Sequence, residues 1–234
     1  MSQIEQMKRA AAYKAAEWIE EGMAVGLGTG STVRHLLDAI ADRRAAGELR
    51  QIRCVPTSDD TFRRANDLGI PLSDLSRTSR IDLTIDGADE VDPRLDLIKG
   101  LGGALLREKL VAIASERFVV MVDESKRVPQ LGTRAPVPVE IDPFSLGVQI
   151  PFLRDLGADP RLRTTPAGEP FSTDGANLIL DCWFGGGVPS PTELAGVLDG
   201  RPGIFEHGMF LGMTDAVVVA GGDGVQILRR PAPA

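Results

Sequence analysis

A chain of 234 residues, 43% hydrophobic and 25% charged, is too apolar to be largely disordered and long enough for a main α/β domain carrying a smaller one. Its net charge of −7 excludes strong non-specific attraction to nucleic acid or anionic lipid, so any anionic ligand must be held by local backbone N–H groups and a few lysines. Cys54 and Cys182 supply neither a disulfide framework nor a CxxC metal pair, and no apolar run approaches the roughly 20 residues of a membrane span.

From the N-terminus, Ile4, Met7, Ala11, Ala15, Trp18 and Ile19 recur at helical spacing, which predicts an amphipathic helix ending at Gly22 and not a signal peptide. The expectation is a cytoplasmic protein. Met23–Leu27 reads as a strand, followed by the loop Gly28-Thr29-Gly30-Ser31-Thr32 and a helix through Leu36, Leu37 and Ile40. Ile52–Val55 is a second strand, leading through Pro56-Thr57-Ser58-Asp59-Asp60 into a helix that ends at Gly69. Strand Ile81–Ile85 runs into Asp86-Gly87-Ala88-Asp89-Glu90. A turn at Gly100–Gly103 opens a helix over Ala104–Ser115, and strand Phe118–Val122 closes on Asp123-Glu124-Ser125-Lys126. This alternation implies a mainly parallel sheet with functional loops at the strand C-terminal ends.

After about Val128 proline becomes frequent and the strand candidates shorten. Strands at Arg161–Thr165 and Asn177–Trp183, with helices at about Ser145–Leu156 and Pro191–Leu198, suit a small α+β unit. Asp215–Ala220 and Val225–Leu228 around Gly222-Asp223-Gly224 read as a terminal hairpin returning to the first domain. The expected division is a Rossmann-like domain over 1–134 plus 209–234 and a smaller domain over 135–208.

Three segments carry candidate chemistry. The loop at 26–32 joins a strand to a helix, where free N–H groups and the helix dipole favour an anion. It lacks the lysine of a Walker A loop, and no acid follows at the next strand end as a dinucleotide fingerprint requires. The plain structural alternative is a tight turn with Ser31 or Thr32 as N-cap. In the acidic turn, Asp82, Asp86 and Gly87 fit a calcium loop until its twelfth position, which falls on Pro93. A magnesium site, a pair of aspartates on sugar hydroxyls, or a solvated turn all remain readings of Asp86 and Asp89. Lys99 and Glu108 offer an oxyanion stabiliser and a general base for proton abstraction beside a carbonyl. Yet Leu105, Leu106, Leu110 and Ile113 mark the apolar side of that helix, so periodicity alone puts Glu108 on the surface.

Taken in order, Gly26–Thr32, Asp86–Glu90, Ile98-Lys99-Gly100, Ala104-Leu105-Leu106-Arg107-Glu108-Lys109 and Asp123–Lys126 resemble the type A ribose-5-phosphate isomerase family. Echoes follow in Leu131–Arg134, Pro138–Glu140, Asn177–Asp181 and Gly203–Gly208. The resemblance implies a Rossmann-like α/β domain with a ferredoxin-like α+β domain, and an aldose–ketose isomerase acting on D-ribose 5-phosphate and D-ribulose 5-phosphate in the non-oxidative pentose phosphate branch. It implies substrate contacts from Thr29, Gly30, Ser31 and Thr32, from Asp86, Gly87, Ala88 and Asp89, from Lys99, Gly100, Leu101 and Gly102, and from Lys126. Glu108 would be the general base, with Asp86 or Asp89 assisting ring opening and Lys99 supporting the reacting oxygen. No metal or other cofactor is implied, and His35 and His207 stand in unrelated contexts, neither near a proposed catalytic segment. The partners would be a sugar phosphate and further copies of the chain, as a homodimer or homotetramer. Leu101, in place of glycine, and Ala176, in place of glycine or asparagine, depart from the family pattern. A sugar-phosphate deaminase or lactonase would need a histidine beside its acids, and a phosphosugar-binding regulator would lack the base.

Overall fold

The computed structural model describes residues 1–230; the last residues of the expected 209–234 segment lie outside the described residues. By contacts the chain forms two compact units. The first comprises Met1–Ala88, Arg107–Lys126 and Met213 onward; the second comprises Asp89–Leu106 and Arg127–Gly212. Residues 89–106, 127–134 and 209–212, expected with the first domain, thus group with the second. The cause is a set of two-residue strands, too short to leave a periodic signal, at Glu90–Val91, Leu97–Ile98 and Met209–Phe210.

In the first unit, strands β1 (Ala24–Leu27), β2 (Arg53–Pro56), β3 (Leu83–Asp86), β6 (Phe118–Asp123), β12 (Ala216–Gly221) and β13 (Gly224–Arg229) form one sheet, ordered β13-β12-β6-β3-β1-β2. All pairings are parallel except β12 with β13, the expected hairpin. The chain leaves β1 for β2 on one side and returns to β3 on the other, so the switch point, where doubly wound folds bind ligands, is at the C-terminal ends of β1 and β3. β1, β3 and β6 are buried at every position, as continuous apolar runs in a covered parallel sheet should be.

Helix α1 (Gln3–Ala16) packs Ala11, Ala12, Ala15 and Ala16 into this core with α2 (Ser31–Ala45). It stops earlier than expected. Arg43 of α2 donates to the carbonyls of Ala16 (2.6 Å) and Ile19 (3.0 Å), satisfying acceptors that a longer helix would have used. Helix α3 (Asp59–Asp67) is capped by Ser58, whose Oγ accepts from the Thr61 N–H (3.1 Å).

The second unit runs β7 (Val137–Ile141), α5 (Leu146–Asp155), β8 (Asp159–Leu162), β9 (Leu178–Trp183), α6 (Pro191–Asp199) and β10 (Ile204–His207). The antiparallel order β10-β7-β9-β8 is the ferredoxin-like βαββαβ arrangement. Strand β8 precedes the expected Arg161–Thr165. Pro138 concealed β7, because a proline argues against a central strand; it is tolerated because β10 pairs only as far as Val139, opposite His207. A further small sheet, β11-β5-β4, joins Met209–Phe210, Leu97–Ile98 and Glu90–Val91. Ala176, which departs from the family pattern, has φ +62° in the turn before β9, a conformation in which glycine or asparagine is less strained.

Candidate active site

Gly28 is required at the end of β1, since any Cβ there would fall on the Asp86 carboxylate at the end of β3. Asp86 is buried, and its Oδ1 accepts from the N–H groups of Thr29 (3.1 Å) and Gly87 (2.6 Å). The Thr29 hydroxyl meets those of Thr57 (2.8 Å) and Ser58 (2.9 Å), and Thr61 donates to the Gly28 carbonyl (2.8 Å). This hydroxyl cluster on the β2–α3 turn locks the loop. Its signal is the polar run after β2, Thr57-Ser58-Asp59-Asp60, which by pattern alone reads as a turn.

The loop delivers the chain to α2 through Gly30, with φ +115° and no side-chain cap. The N-cap is therefore Gly30, not Ser31 or Thr32, which stand in the first turn. With no acid there and no capping oxygen, the first turn keeps its backbone donors and positive dipole end for an anion. Lys126 occupies a short 3-10 turn directly after β6, two strands from β1. Asp123 forms that turn by accepting from the Ser125 N–H (3.1 Å).

Helix α4 (Leu105–Ile113) overturns the wheel that put Glu108 outside. Leu110 and Ile113 are 48% and 68% exposed, whereas Glu108 is only 4% exposed. The buried positions are Leu105, Glu108, Lys109, Val111 and Ala112, so only Leu105 of the expected apolar side is fully covered. Val111 sits where a Cβ on Gly26 would come within 2.6 Å, and the Ser115 hydroxyl bonds that of Thr84 (2.6 Å). The helix ends beside the start of β3, where Ile81 donates to Ala114 and accepts from Glu116. It therefore runs antiparallel to the strands, and Glu108 lies about 10 Å from Ser115 along the axis, toward the strand C-terminal ends.

In the second unit, Asp89 accepts the Leu101 N–H on Oδ2 (3.0 Å). Lys99 is buried; its ammonium lies 5.5 Å from the centre of the Phe210 ring, and its N–H donates to the Gly208 carbonyl (2.8 Å). The rest of the acidic turn is structural. Glu90 accepts from the N–H groups of Gly132 (2.6 Å), Arg134 (2.6 Å) and Ala135 (2.8 Å), and Asp92 from those of Arg94 (2.8 Å) and Asp96 (2.9 Å). Glu90 and Asp92 are thus committed to backbone donors and organise the turn.

Among the described residues, one cluster has metal-ligand atoms in reach of one another: Asp199, Glu206 and His207. His207 Nδ1 accepts the Met209 N–H (3.2 Å), so a neutral ring carries its proton on Nε2, which faces Asp199 at 3.2 Å. Ligation through Nε2 would require the other tautomer, at the cost of the Met209 N–H bond. Neither histidine belongs to the segments above.

The doubly wound sheet, its open helix terminus and the buried carboxylates at the switch-point end define an α/β enzyme, and the comparisons give its class as isomerase. A curated relative from Roseiflexus castenholzii, a ribose-5-phosphate isomerase A, is 50% identical over 96% of this chain and 95% of its own. A solved isomerase from Plasmodium falciparum matches with TM-score 0.94 at 39% identity, covering 97% of this chain and 100% of that one. A D-ribose-5-phosphate isomerase in complex with phospho-erythronic acid matches with TM-score 0.94 at 37% identity, covering 98% and 100%. The chain belongs to the family of ribose 5-phosphate isomerase A (phosphoriboisomerase A), whose model matches residues 53–224.

Proposed function

We propose that the chain interconverts D-ribose 5-phosphate and D-ribulose 5-phosphate through an enediolate, with Glu108 as the base. The observation that carries the reading is the burial of this carboxylate on the sheet-facing stripe of α4, in a chain of this family. Burying a carboxylate carries a desolvation cost, and buried ionisable groups of this kind cluster at functional sites. In the aldose-to-ketose direction, Glu108 takes the hydrogen on C2 as a proton and the electron pair moves toward O1. The same carboxyl group then returns the proton to C1, while the hydroxyl proton on O2 passes to O1. No oxidant and no net proton are needed.

Thr29, Gly30, Ser31 and Thr32 bind the substrate and hold its phosphate, the free first turn of α2 favouring the dianion. Lys126 adds a positive charge. Asp86 through Asp89, including Gly87 and Ala88, contact the sugar, and Asp86 or Asp89 moves the hydroxyl proton in ring opening. Lys99 stabilises the developing negative oxygen, and Gly100, Leu101 and Gly102 complete the substrate contacts. The relative crystallised with phospho-erythronic acid supports a sugar-phosphate ligand of this size. By the same family argument the enzyme works as a homodimer or homotetramer in the cytoplasm, in the pentose phosphate pathway. No described helix is long and apolar enough to cross a membrane.

Incubation with ribose 5-phosphate in heavy water, followed by NMR, should place deuterium at C1 or C2. Glu108→Gln should lower kcat by about 10²–10⁴-fold, the typical contribution of a general base. Near-full activity of that variant would reject the assignment.

A further inference from the structure

Arg163 directly follows β8 and is fixed at both ends. Its backbone N–H donates to the Ile179 carbonyl (2.9 Å), and its carbonyl accepts from the Phe171 N–H (2.9 Å). The guanidinium forms a forked ion pair with Asp181 of β9, Nε to Oδ2 at 2.9 Å and Nη2 to Oδ1. Both side chains are largely withdrawn from solvent. The remaining nitrogen, Nη1, points out of the sheet and donates to the carbonyls of Gly100 (2.8 Å) and Leu101 (3.2 Å).

Two successive carbonyls aimed at one cation dictate where the intervening amides point. In a trans peptide the N–H lies opposite the carbonyl to which it is joined. The N–H groups of Leu101 and Gly102 therefore face away from Arg163. The Leu101 N–H ends on Asp89, as this geometry requires. The Gly102 N–H is turned to the same side. The turn is also held at its corners: Gly100 and Gly103 have φ +100° and +84°, and a Cβ on Gly103 would strike the Phe171 ring. A planar five-donor fork can serve a carboxylate and two carbonyls together, which an ammonium cannot.

We propose that Arg163, oriented by Asp181, is a positioning residue for substrate binding, setting the Gly100–Gly103 turn so that the Gly102 N–H is presented beside Asp89. Neither residue lies in a segment that the resemblance assigns to substrate. The proposal rests on the reading that the Lys99–Gly102 stretch touches the substrate.

The test compares Arg163→Met, Asp181→Asn and the double variant in the full-length enzyme. Three measurements are needed: kcat and KM with ribose 5-phosphate, the affinity for phospho-erythronic acid by calorimetry, and amide hydrogen exchange. Displacing a substrate-positioning turn by about an ångström costs up to about 100-fold. Arg163→Met should therefore lower kcat/KM and the acid's affinity by about 10- to 100-fold. Asp181→Asn should shift the same quantities less, and the double variant should be no worse than Arg163→Met, since both act through one contact. Exchange should rise at residues 100–103 while β7 and β9 stay protected. Unchanged kinetics and affinity in folded Arg163→Met would overturn the proposal, as would loosened exchange throughout the β7–β9 sheet, which would mark a merely structural pair. A failure of the isomerase reading is separable, because it shows as no deuterium entering C1 or C2 with the unsubstituted enzyme.

Discussion

Glu108 and Cys54 are both buried polar groups of the first unit, and their surroundings give them opposite behaviour. For Glu108 the position of the carboxylate is the quantity to test. Glu108→Asp keeps the charge and withdraws the oxygens by one methylene. Misplacement on this scale is expected to cost about 100-fold in kcat with KM little changed, and steady-state kinetics with ribose 5-phosphate read both. Cys54 lies in β2 with no exposed surface, and burial pushes its thiol up to about 12 from an ordinary 9.0. It should resist thiol reagents at pH 8 in the native enzyme and react once the chain unfolds. The same shift fixes a sign. Above about pH 9 the unfolded thiol loses its proton while the folded one retains it, so the unfolded state binds fewer protons and stability falls. Denaturant titrations at pH 8 and pH 10.5 should show that decline, and Cys54→Ala should remove part of the slope.

At the scale of the element, α4 shows where pattern reading fails. Its leucines and isoleucine form a stripe at helical spacing, yet Leu110 and Ile113 face outward and a carboxylate faces the sheet. A hydrophobicity count cannot see that β1 carries Gly26 opposite Val111, which lets the helix settle with Glu108 on the inner side. Gly26→Val should therefore crowd Thr84 of β3 as well as Val111 and push α4 off the sheet. Overpacking of this kind costs about 1–3 kcal/mol, and kcat should fall more than that loss of stability explains, because Glu108 rides on the displaced helix. Chemical denaturation and kinetics on one preparation separate the two effects. The strand–loop–helix alternation of the first unit was legible because its parallel strands are mainly apolar runs that give way to polar or glycine-bearing turns. The short strands β4, β5, β10 and β11 were not, being two to four residues long and defined by pairing partners distant in the chain. Arg163 left no local signal, because its role depends on carbonyls some sixty residues earlier.

Across the whole molecule the acidic residues divide by what they hold. Glu90 and Asp92 spend their oxygens on backbone N–H groups, organising the second unit where a crowded acidic run suggested cation binding. Asp86 and Asp89 each accept from the backbone of a glycine-bearing loop, which aims the carboxylate as well as the loop. The remaining cluster with metal-type ligands has its histidine committed to the Met209 N–H, and recruiting that ring would break the bend between β10 and β11. That bend also carries the Gly208 carbonyl, which receives the Lys99 N–H, and the ring of Phe210 beneath the Lys99 ammonium. A divalent ion bound there would thus disturb a proposed catalytic group rather than assist it. Prolonged dialysis against EDTA should leave kcat/KM for ribose 5-phosphate unchanged, and millimolar zinc should inhibit, with His207→Asn, which keeps an acceptor for the Met209 N–H, relieving that inhibition. Loss of activity on chelation, restored by magnesium, would instead return the acidic turn to the role of a metal site and require a different partition of these carboxylates.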